Sequence, residues 1–411
     1  MSMLQELLSR LEGYGPAVVS LQQSLVAIPA LGPDNGGQGE LDKALFLTDY
    51  LRHLGFAEVL RVDAPDARVA SGLRPNLVAM LPGQRTDKTF WVISHTDVVP
   101  AGDLSLWKTD PFTLHVDGDV MTGRGVEDNH QGIVSSLMLA KALLDSKVTP
   151  PVNFGIILVA DEETGSQYGL EYVLKTRPDL FHPEDLFLAP DFGNAESTML
   201  EVAEKCILWL KLTVVGRQCH ASTPHQGRNT LVACADLIMR LQELRTQFPD
   251  EDPLFNPAHS TFEPTRKEEN VPNVNTVPGY DVFYLDCRVL PSYPPEEVLA
   301  SIRAMADVVE QTREVQISID IVQRTDAAPP TSPDSEIVVR LTEGIRAVYG
   351  TQAVPTGIGG GTVASFLRRR GYPCAVWSTC VHNAHQPNES SCISSQLGDA
   401  KVMAHVLTHT A

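Results

Sequence analysis

Hydrophobic positions along the chain follow two different spacings. The leucines of residues 41–54 recur at helical spacing, and so do the apolar residues of 133–144. Short apolar runs without that spacing lie at residues 89–94, 152–160 and 186–190. Apolar strands that alternate with amphipathic helices predict an α/β fold, in which a mostly parallel sheet carries helices on both faces.

The pattern changes between about residue 205 and residue 323. There the predicted elements run strand, helix, strand, strand, helix and strand, at 207–215, about 229–247, about 259–266, 281–289, 295–311 and 314–322. This β-α-β-β-α-β order is typical of a small ferredoxin-like α+β domain. After it, a helix, a strand and a helix resume the first pattern. We therefore predict a catalytic domain formed by residues 1–204 and 324–411, with a second domain inserted at 205–323.

Composition and charge exclude two classes of binding partner and indicate a cellular location. The 411 residues carry a net charge of −19, from 51 acidic and 32 basic side chains. Nucleic acids and anionic membranes bind basic surfaces, so neither is an expected partner. The chain shows no secretory signal pattern and no apolar stretch of about 20 residues that could span a bilayer. Its seven cysteines form no CxxC pair, which favours reduced thiols and a cytoplasmic location.

Five short segments place a histidine or an acidic residue just after a predicted strand or just before a predicted helix. They are HTD with His95 and Asp97, GRGVEDNHQG with Asp128, ADEETGS with Glu162 and Glu163, PDFG with Asp191, and NAHQPNE with His385. Any one of them is equally compatible with a polar turn or a helix cap. Together they indicate a metal site, because strand ends meet at one edge of an α/β sheet.

Two histidines and three carboxylates form a ligand set suited to zinc, manganese or cobalt. One shared carboxylate, with a histidine and a further carboxylate on each side, would give a balanced site for two ions. Ions in such sites lie roughly 3.5–4 Å apart and share a hydroxide that attacks a carbonyl.

The ordered set of these segments resembles a metallopeptidase family, that of aminoacylase, acetylornithine deacetylase, succinyl-diaminopimelate desuccinylase and glutamate carboxypeptidase. The resemblance extends from about residue 15 to about residue 405. It implies two divalent metal ions per chain, with zinc expected and cobalt or manganese as alternatives. The implied ligands are Asp128 as the bridge, His95 and Asp191 on one ion, and Glu163 and His385 on the other.

The same resemblance implies roles for residues that do not bind metal. Glu162 would be the general base, which takes a proton from the attacking water and passes it to the leaving nitrogen. Asp97 would orient His95. A non-proline cis peptide bond is expected directly after Asp128.

In the inserted domain, the segment GRQCHASTPHQGRNT resembles the family's lid, which also forms the dimer contact in relatives. The resemblance implies that His220 polarises the scissile carbonyl, either in its own subunit or in that of a homodimer partner. An exposed loop histidine is the alternative interpretation. Asn275 would help to hold the tetrahedral oxygen, and Arg288 would bind a substrate carboxylate, with Arg324 as a weaker candidate.

A glycine-rich stretch, IGGGT, lies at residues 358–362. It lacks the GxxxxGK[ST] pattern of a phosphate-binding loop. The resemblance implies instead that Gly360, Gly361 and Thr362 line the substrate pocket. The sequence departs from the family at His130, where relatives often have lysine, and in the absence of a charged residue in the glycine stretch.

Other hydrolase classes lack their signatures here, since neither GxSxG nor HExxH occurs. The expected function is metal-dependent hydrolysis of a small N-acyl amino acid, as in deacetylases and desuccinylases. A dipeptidase or carboxypeptidase acting on short peptides is the main alternative. A carbamoyl amino acid hydrolase and a non-catalytic relative remain further alternatives.

Overall fold

The structure is a computed structural model and describes residues 2–410. Within that range the α-helices are α1 (Met3–Glu12), α2 (Gly15–Val26), α3 (Leu41–Leu54), α4 (His130–Ser146), α5 (Leu170–Thr176), α6 (Thr230–Leu241), α7 (Leu244–Gln247), α8 (Pro295–Arg313), α9 (Glu336–Tyr349), α10 (Ala364–Arg368) and α11 (Ile393–His409). None of these helices is long and apolar enough to cross a membrane.

The strands in the same range are β1 (Val59–Pro65), β2 (Leu73–Leu81), β3 (Arg85–His95), β4 (His115–Asp117), β5 (Val120–Thr122), β6 (Val152–Val159), β7 (Leu186–Gly193), β8 (Met199–Glu204), β9 (Cys206–Val215), β10 (Cys219–His220), β11 (Thr261–Lys267), β12 (Thr276–Val277), β13 (Tyr280–Val289), β14 (Gln316–Thr325), β15 (Val354–Ile358), β16 (Cys374–Ser378) and β17 (Ser390–Cys392).

The chain divides into two compact units. The first unit extends to Val202 and resumes at Pro330–Thr356 and again from Thr362 onward. The second unit comprises Ala203–Pro329 together with Gly357–Gly361. The first unit is therefore assembled from segments on both sides of the second.

The first unit contains an eight-stranded sheet with the order β1-β2-β6-β3-β7-β16-β8-β15. The central pairs β6/β3, β3/β7 and β7/β16 are parallel, whereas β1/β2, β2/β6 and β16/β8 are antiparallel. The sheet is thus mixed, and the predicted parallel order holds only at its centre. The short turn at 82–84 reverses the chain between β2 and β3, so a strand inserted parallel to β3 must be antiparallel to β2.

Helices cover both faces of this sheet, as predicted. On one face, Trp91 and Ile93 of β3 belong to a buried cluster with Val173 of α5 and Leu367 of α10. On the other, α4 packs against β3 and β7, and α9 packs against β7 and β16. Burying side chains of this size contributes about 1.5–3 kcal/mol each, which fixes the position of the strand that ends at His95.

The second unit contains a four-stranded antiparallel sheet with the order β11-β13-β9-β14 and two long helices, α6 and α8. Leu208, Leu210 and Leu212 of β9 point into a core shared with these helices. The strands and helices follow the β-α-β-β-α-β order expected from sequence. The helix predicted at about 229–247 is interrupted in the structure, because α6 ends at Leu241 and the short α7 begins at Leu244.

Candidate metal centre

The proposed ligands lie where elements of the first unit begin or end. His95 is the last residue of β3, Glu163 lies in a 3-10 turn after β6, and Asp191 lies near the end of β7. Asp128 lies just before α4, and His385 lies in the loop between β16 and β17. Because β3, β6 and β7 are neighbouring parallel strands, their carboxyl ends meet at one edge of the sheet.

The two carboxylate oxygens of Asp128 face two different histidines. Its Oδ1 lies 2.8 Å from Nε2 of His95, and its Oδ2 lies 3.1 Å from Nε2 of His385. Each histidine also faces a second carboxylate, with Asp191 Oδ1 3.3 Å from His95 Nε2 and Glu163 Oε2 3.0 Å from His385 Nε2. One carboxylate shared by two histidine–carboxylate pairs is the arrangement expected of a bridge between two cations.

The donor set fits divalent metal ions. Ligand atoms of His95, Asp128 and Glu163 all lie within 4.8 Å of one another, as do those of His95, Glu162 and Asp191. Oε1 of Glu163 is buried and has no hydrogen-bond partner. Imidazole nitrogens and carboxylate oxygens at such spacing are ligands for zinc, manganese and cobalt. The second group places the Glu162 carboxylate beside the His95–Asp191 pair.

Electrostatics of the cluster also favour cations. Burial and the Asp191 charge raise the pKa of Glu162 well above its usual range, and burial with Asp128 raises the pKa of Glu163 to about 7. Contacts with Asp128 and Glu163 raise the pKa of His385 to about 10. Without metal, Glu162 and Glu163 therefore hold protons more readily than ordinary carboxyl groups do. Metal ligands must be deprotonated, so binding would release these protons.

Asp97 is buried and holds the turn that carries both glutamates. Its Oδ1 accepts the backbone N–H of Glu162 and its Oδ2 that of Glu163, each at 3.1 Å. His95 Nδ1 lies 3.0 Å from the backbone oxygen of Asp97 but 3.5 Å from its carboxylate. The backbone carbonyl therefore fixes the tautomer that leaves His95 Nε2 free for a ligand role. The Asp97 carboxylate lies on the same side of the His95 ring, so the predicted role of its side chain in orienting His95 stays a prediction, beside its hydrogen bonds to the Glu162–Glu163 turn.

The first acid of the DEE triplet differs from the other two. Asp161 has a left-handed backbone, with φ at +64°. Its Oδ2 accepts the backbone N–H of Tyr168 at 2.9 Å, and its Oδ1 accepts the hydroxyl of Thr164. Asp161 therefore organises the turn, whereas Glu162 and Glu163 face the cluster.

Sequence reasoning missed three residues that contact a proposed ligand or the loops that carry one. Asn129 donates from Nδ2 to Asp191 Oδ1 at 2.6 Å and to the backbone oxygen of Pro190 at 2.8 Å. The peptide bond between Asp128 and Asn129 is cis, as expected. The other two are the buried glutamates Glu127 and Glu389. No local sequence pattern identifies any of the three, because their partners are distant in the chain.

The departure at His130 is accompanied by a buried lysine from another element. Lys43 of α3 has its Nζ 2.7 Å from Nε2 of His130, and both side chains are buried. Burial lowers the pKa of Lys43 to about 7 and that of His130 well below its usual range. An amino group thus enters this region from α3, next to His130.

In the second unit, His220 and Asn275 are neighbours and both are exposed. The Ala221 N–H donates to the backbone oxygen of Asn275 at 2.8 Å, beside the β10–β12 pair. Nδ1 of His220 accepts the Ser222 N–H at 3.1 Å, which places the imidazole proton on Nε2. Oδ1 of Asn275 accepts from Asn273 at 2.7 Å, which leaves its amide N–H groups to donate. The pair presents two hydrogen-bond donors.

The two arginine candidates are already paired with carboxylates. Asp286 accepts from Arg288 Nε at 2.7 Å and from Nη2 at 3.0 Å, and the Gly359 carbonyl accepts from Nη1 at 2.6 Å. Arg324 is held by both Asp326 and Glu296. Arg288 therefore reaches the glycine stretch, although most of its positive charge is balanced by Asp286.

The glycine stretch itself shows little packing constraint. A side chain at Gly360 would meet only Ile358 within 4 Å, and one at Gly361 would keep ordinary contact distances. Thr362 Oγ1 accepts the Ala364 N–H at 3.2 Å, at the start of α10. Thr362 thus has a local structural role, and a role in substrate binding stays a prediction for all three.

Comparisons with known proteins agree with this geometry. Residues 91–409 match the model of peptidase family M20/M25/M40. A metallohydrolase of Methanococcus maripaludis is 38% identical, and the match covers 95% of this chain and 98% of the relative. Succinyl-diaminopimelate desuccinylase of Ehrlichia chaffeensis is 25% identical over 91% of this chain and 93% of its own. The crystal structure of human carnosine dipeptidase 1 superposes with a TM-score of 0.78 at 18% identity, covering 99% and 98% of the two chains.

The family match spans more than half of the chain, and the archaeal relative matches over nearly all of it. The protein is thus a metal-dependent hydrolase of amide or peptide bonds, and the chain belongs to peptidase family M20/M25/M40.

Proposed function

We propose that the enzyme hydrolyses the amide bond of a small N-acyl amino acid at a site for two divalent metal ions, with zinc expected. The observation that carries this proposal is the division of the Asp128 carboxylate between two histidine–carboxylate pairs. His95 and Asp191 would hold one ion, and Glu163 and His385 the other. Divalent ions in such a site polarise the scissile carbonyl and acidify water.

Glu162 is the proposed general base. Its carboxylate lies beside the His95–Asp191 pair and belongs to a turn that Asp97 holds in place. Burial raises its pKa in the metal-free cluster, and nearby positive charge lowers the pKa of a carboxyl group. The deprotonated carboxylate would take a proton from the attacking water and deliver it to the leaving amine nitrogen.

The proposed oxyanion donors are Nε2–H of His220 and the side-chain amide of Asn275. Both are exposed, and the other polar atom of each side chain is engaged by a neighbour. Donors held in this way can stabilise the oxygen of a tetrahedral intermediate without reorganising. Arg288 is the proposed partner of the substrate carboxylate, through the donors that Asp286 and Gly359 leave available.

A homodimer through the second unit is part of the proposal. Strand β14 is an edge of its sheet, and Ile321 and Val322 on it are exposed. Helix α6 of the same unit exposes Leu231, Val232 and Met239. Exposed apolar side chains on an edge strand and on a helix of the same unit favour pairing with a second copy.

The decisive experiment is a substrate panel on protein that has been stripped of metal and reconstituted with zinc, cobalt or manganese. The panel contains acetyl, succinyl and carbamoyl amino acids and unmodified dipeptides, and free amino acid release is measured. We expect acyl amino acids to be the best substrates. Dipeptides turned over at least tenfold faster would identify a dipeptidase, and ammonia release from carbamoyl substrates would identify a carbamoyl hydrolase. Glu162→Ala serves as the inactive control.

Mixing His220→Ala with Glu162→Ala subunits tests the proposed dimer. Each variant alone is expected to be nearly inactive. Recovery of activity in the mixture means that His220 of one subunit serves the other. No recovery, with subunit exchange demonstrated by differently tagged chains, means that His220 acts within its own subunit or has no catalytic role.

A further inference from the structure

Glu127 lies next to the proposed bridge Asp128, yet its carboxylate points to a different segment. It is 5% exposed. Oε1 accepts the backbone N–H groups of Asn383 at 3.0 Å and Ala384 at 3.1 Å, and Oε2 accepts that of Val381. All three belong to the loop that carries His385. Both oxygens are therefore used on the backbone of that loop, so Glu127 is not a further ligand.

Glu389 makes the converse connection. It follows His385 by four residues and is fully buried. Its Oε1 accepts the N–H groups of Glu127 at 2.9 Å and Asp128 at 3.0 Å, and its Oε2 accepts that of Gly125 at 3.0 Å. Oε2 also pairs with Nη1 of the buried Arg124 at 2.6 Å. Each of the two loops thus holds the other through one glutamate.

The loop with His385 needs such external support. His382, His385 and Asn388 adopt left-handed backbone conformations, with φ at +67°, +63° and +62°. Residues with a Cβ disfavour this region, and they stay there when surrounding contacts determine the conformation. The Glu127 carboxylate supplies three such contacts within the first half of the loop.

We propose that Glu127 and Glu389 are reciprocal positioning residues, which set the separation between Asp128 and His385 and thereby the affinity of the ion held by Glu163 and His385. The inference rests on the proposed two-ion site. Because His95 and Asp191 belong to β3 and β7, outside the paired loops, and the Glu127 carboxylate contacts only the loop with His385, the other ion depends less on Glu127. The effect is therefore selective for one of the two ions.

The test measures zinc stoichiometry and affinity in metal-stripped wild type, Glu127→Gln and Glu127→Ala. Glutamine keeps one accepting oxygen and replaces the other with an NH₂ group that cannot accept, so an intermediate effect is expected. We expect wild type to bind two zinc ions per chain. Glu127→Ala should keep the tighter one and bind the other about 10–100-fold more weakly, the usual effect of removing an outer hydrogen-bond partner.

Hydrogen exchange of the metal-free proteins provides a readout independent of metal and activity. The amides of Val381, Asn383 and Ala384 should exchange faster in both Glu127 variants. Those of Gly125 and Asp128 should exchange faster in Glu389→Gln.

The control is Glu201→Gln, which alters a buried carboxylate paired with Arg368 in the same unit. It should leave both zinc affinities and the loop amides unchanged, apart from any uniform change that reflects global stability. Equal weakening of both zinc ions in Glu127→Gln, or no change in the second ion and in the loop amides, would overturn the inference. If Glu127→Ala does not fold, the same criteria apply to Glu127→Gln.

Different experimental outcomes contradict the role of Glu127 and the proposed substrate. Wild type that binds two zinc ions with the expected Glu127 effect, but cleaves no acyl amino acid, contradicts only the proposed substrate. Wild type that binds a single ion overturns the inference, whatever the substrate.

Discussion

Replacing Asp97 with asparagine tests how the proposed catalytic turn is held. Asp97 is 1% exposed, and its two carboxylate oxygens accept the N–H groups of Glu162 and Glu163. Asparagine keeps the shape but offers a single accepting oxygen. Its NH₂ group must therefore face one of the two N–H donors, which leaves that donor without a partner.

The structure sets the size of the expected effect. A buried donor that loses its partner costs about 1–3 kcal/mol, and more when the lost partner is charged. We expect the free energy of unfolding of the metal-free protein to fall by about 2–3 kcal/mol. The turn can also relieve the mismatch by moving, which shifts the Glu162 carboxylate. A misplacement of about 1 Å can cost about 100-fold in rate, so kcat should fall about 10–100-fold at saturating metal.

Urea denaturation, kcat at saturating metal and exchange of the Glu162 and Glu163 amides measure these effects. Asp185→Asn is a matched control, since Asp185 is 2% exposed and accepts from the His182 N–H and from Thr89 N–H and Trp91 Nε1 of β3. It should lose similar stability and keep its kcat. If Asp97→Asn lowers kcat while both amides exchange as in wild type, the carboxylate acts through His95 instead. Unchanged kcat and exchange would refute the reasoning altogether.

Three further outcomes are expected. Glu162→Gln should keep its metal, which elemental analysis would verify. Its kcat should fall about 10²–10⁴-fold, the usual contribution of a positioned base. An undiminished kcat would show that Glu162 is not the general base. Asp128→Ala should lose both ions on dialysis, because both pairs share its oxygens, and two ions retained per chain would contradict the bridge. In the metal-free protein the folded-state pKa values of Glu163 and His385 are raised to about 7 and about 10, so their stabilising contributions are present at low pH and disappear as the pH rises through those values. The melting temperature without metal should therefore fall from about pH 5 to about pH 9, and a rise across that range would contradict the assignment.

The sequence predicted the ligand cluster where a local rule applies. His95, Glu163 and Asp191 follow apolar strands, and the carboxyl ends of neighbouring parallel strands must lie close together. His385 follows the predicted strand at 373–378, so the same rule applied to it, although the structure places it well into the loop before β17. Asp128 lies on a turn before a helix, and there the order of motifs in the family resemblance indicated the common site.

The sequence alone could not identify the hydrogen bonds that join segments far apart in the chain. The N–H of Glu127 and the carboxylate of Glu389 are 262 residues apart, and no spacing relates them. In the sequence GRGVEDNHQG, nothing distinguishes the buried Glu127 from an acidic residue on the surface. The position of β6 between β2 and β3 was equally hidden, because strand order depends on tertiary packing rather than on the pattern of any one strand.

The order of the ligands along the chain has a consequence for biosynthesis. The ribosome synthesises the proposed ligands His95, Asp128, Glu163 and Asp191 before the segment Ala203–Pro329 of the second unit, and it adds His385 only afterwards. The nascent protein therefore lacks one of the five proposed ligands throughout translation of that unit. We expect the His385 position to acquire its metal last, once the growing polypeptide has passed Glu389 and the two loops can lock together.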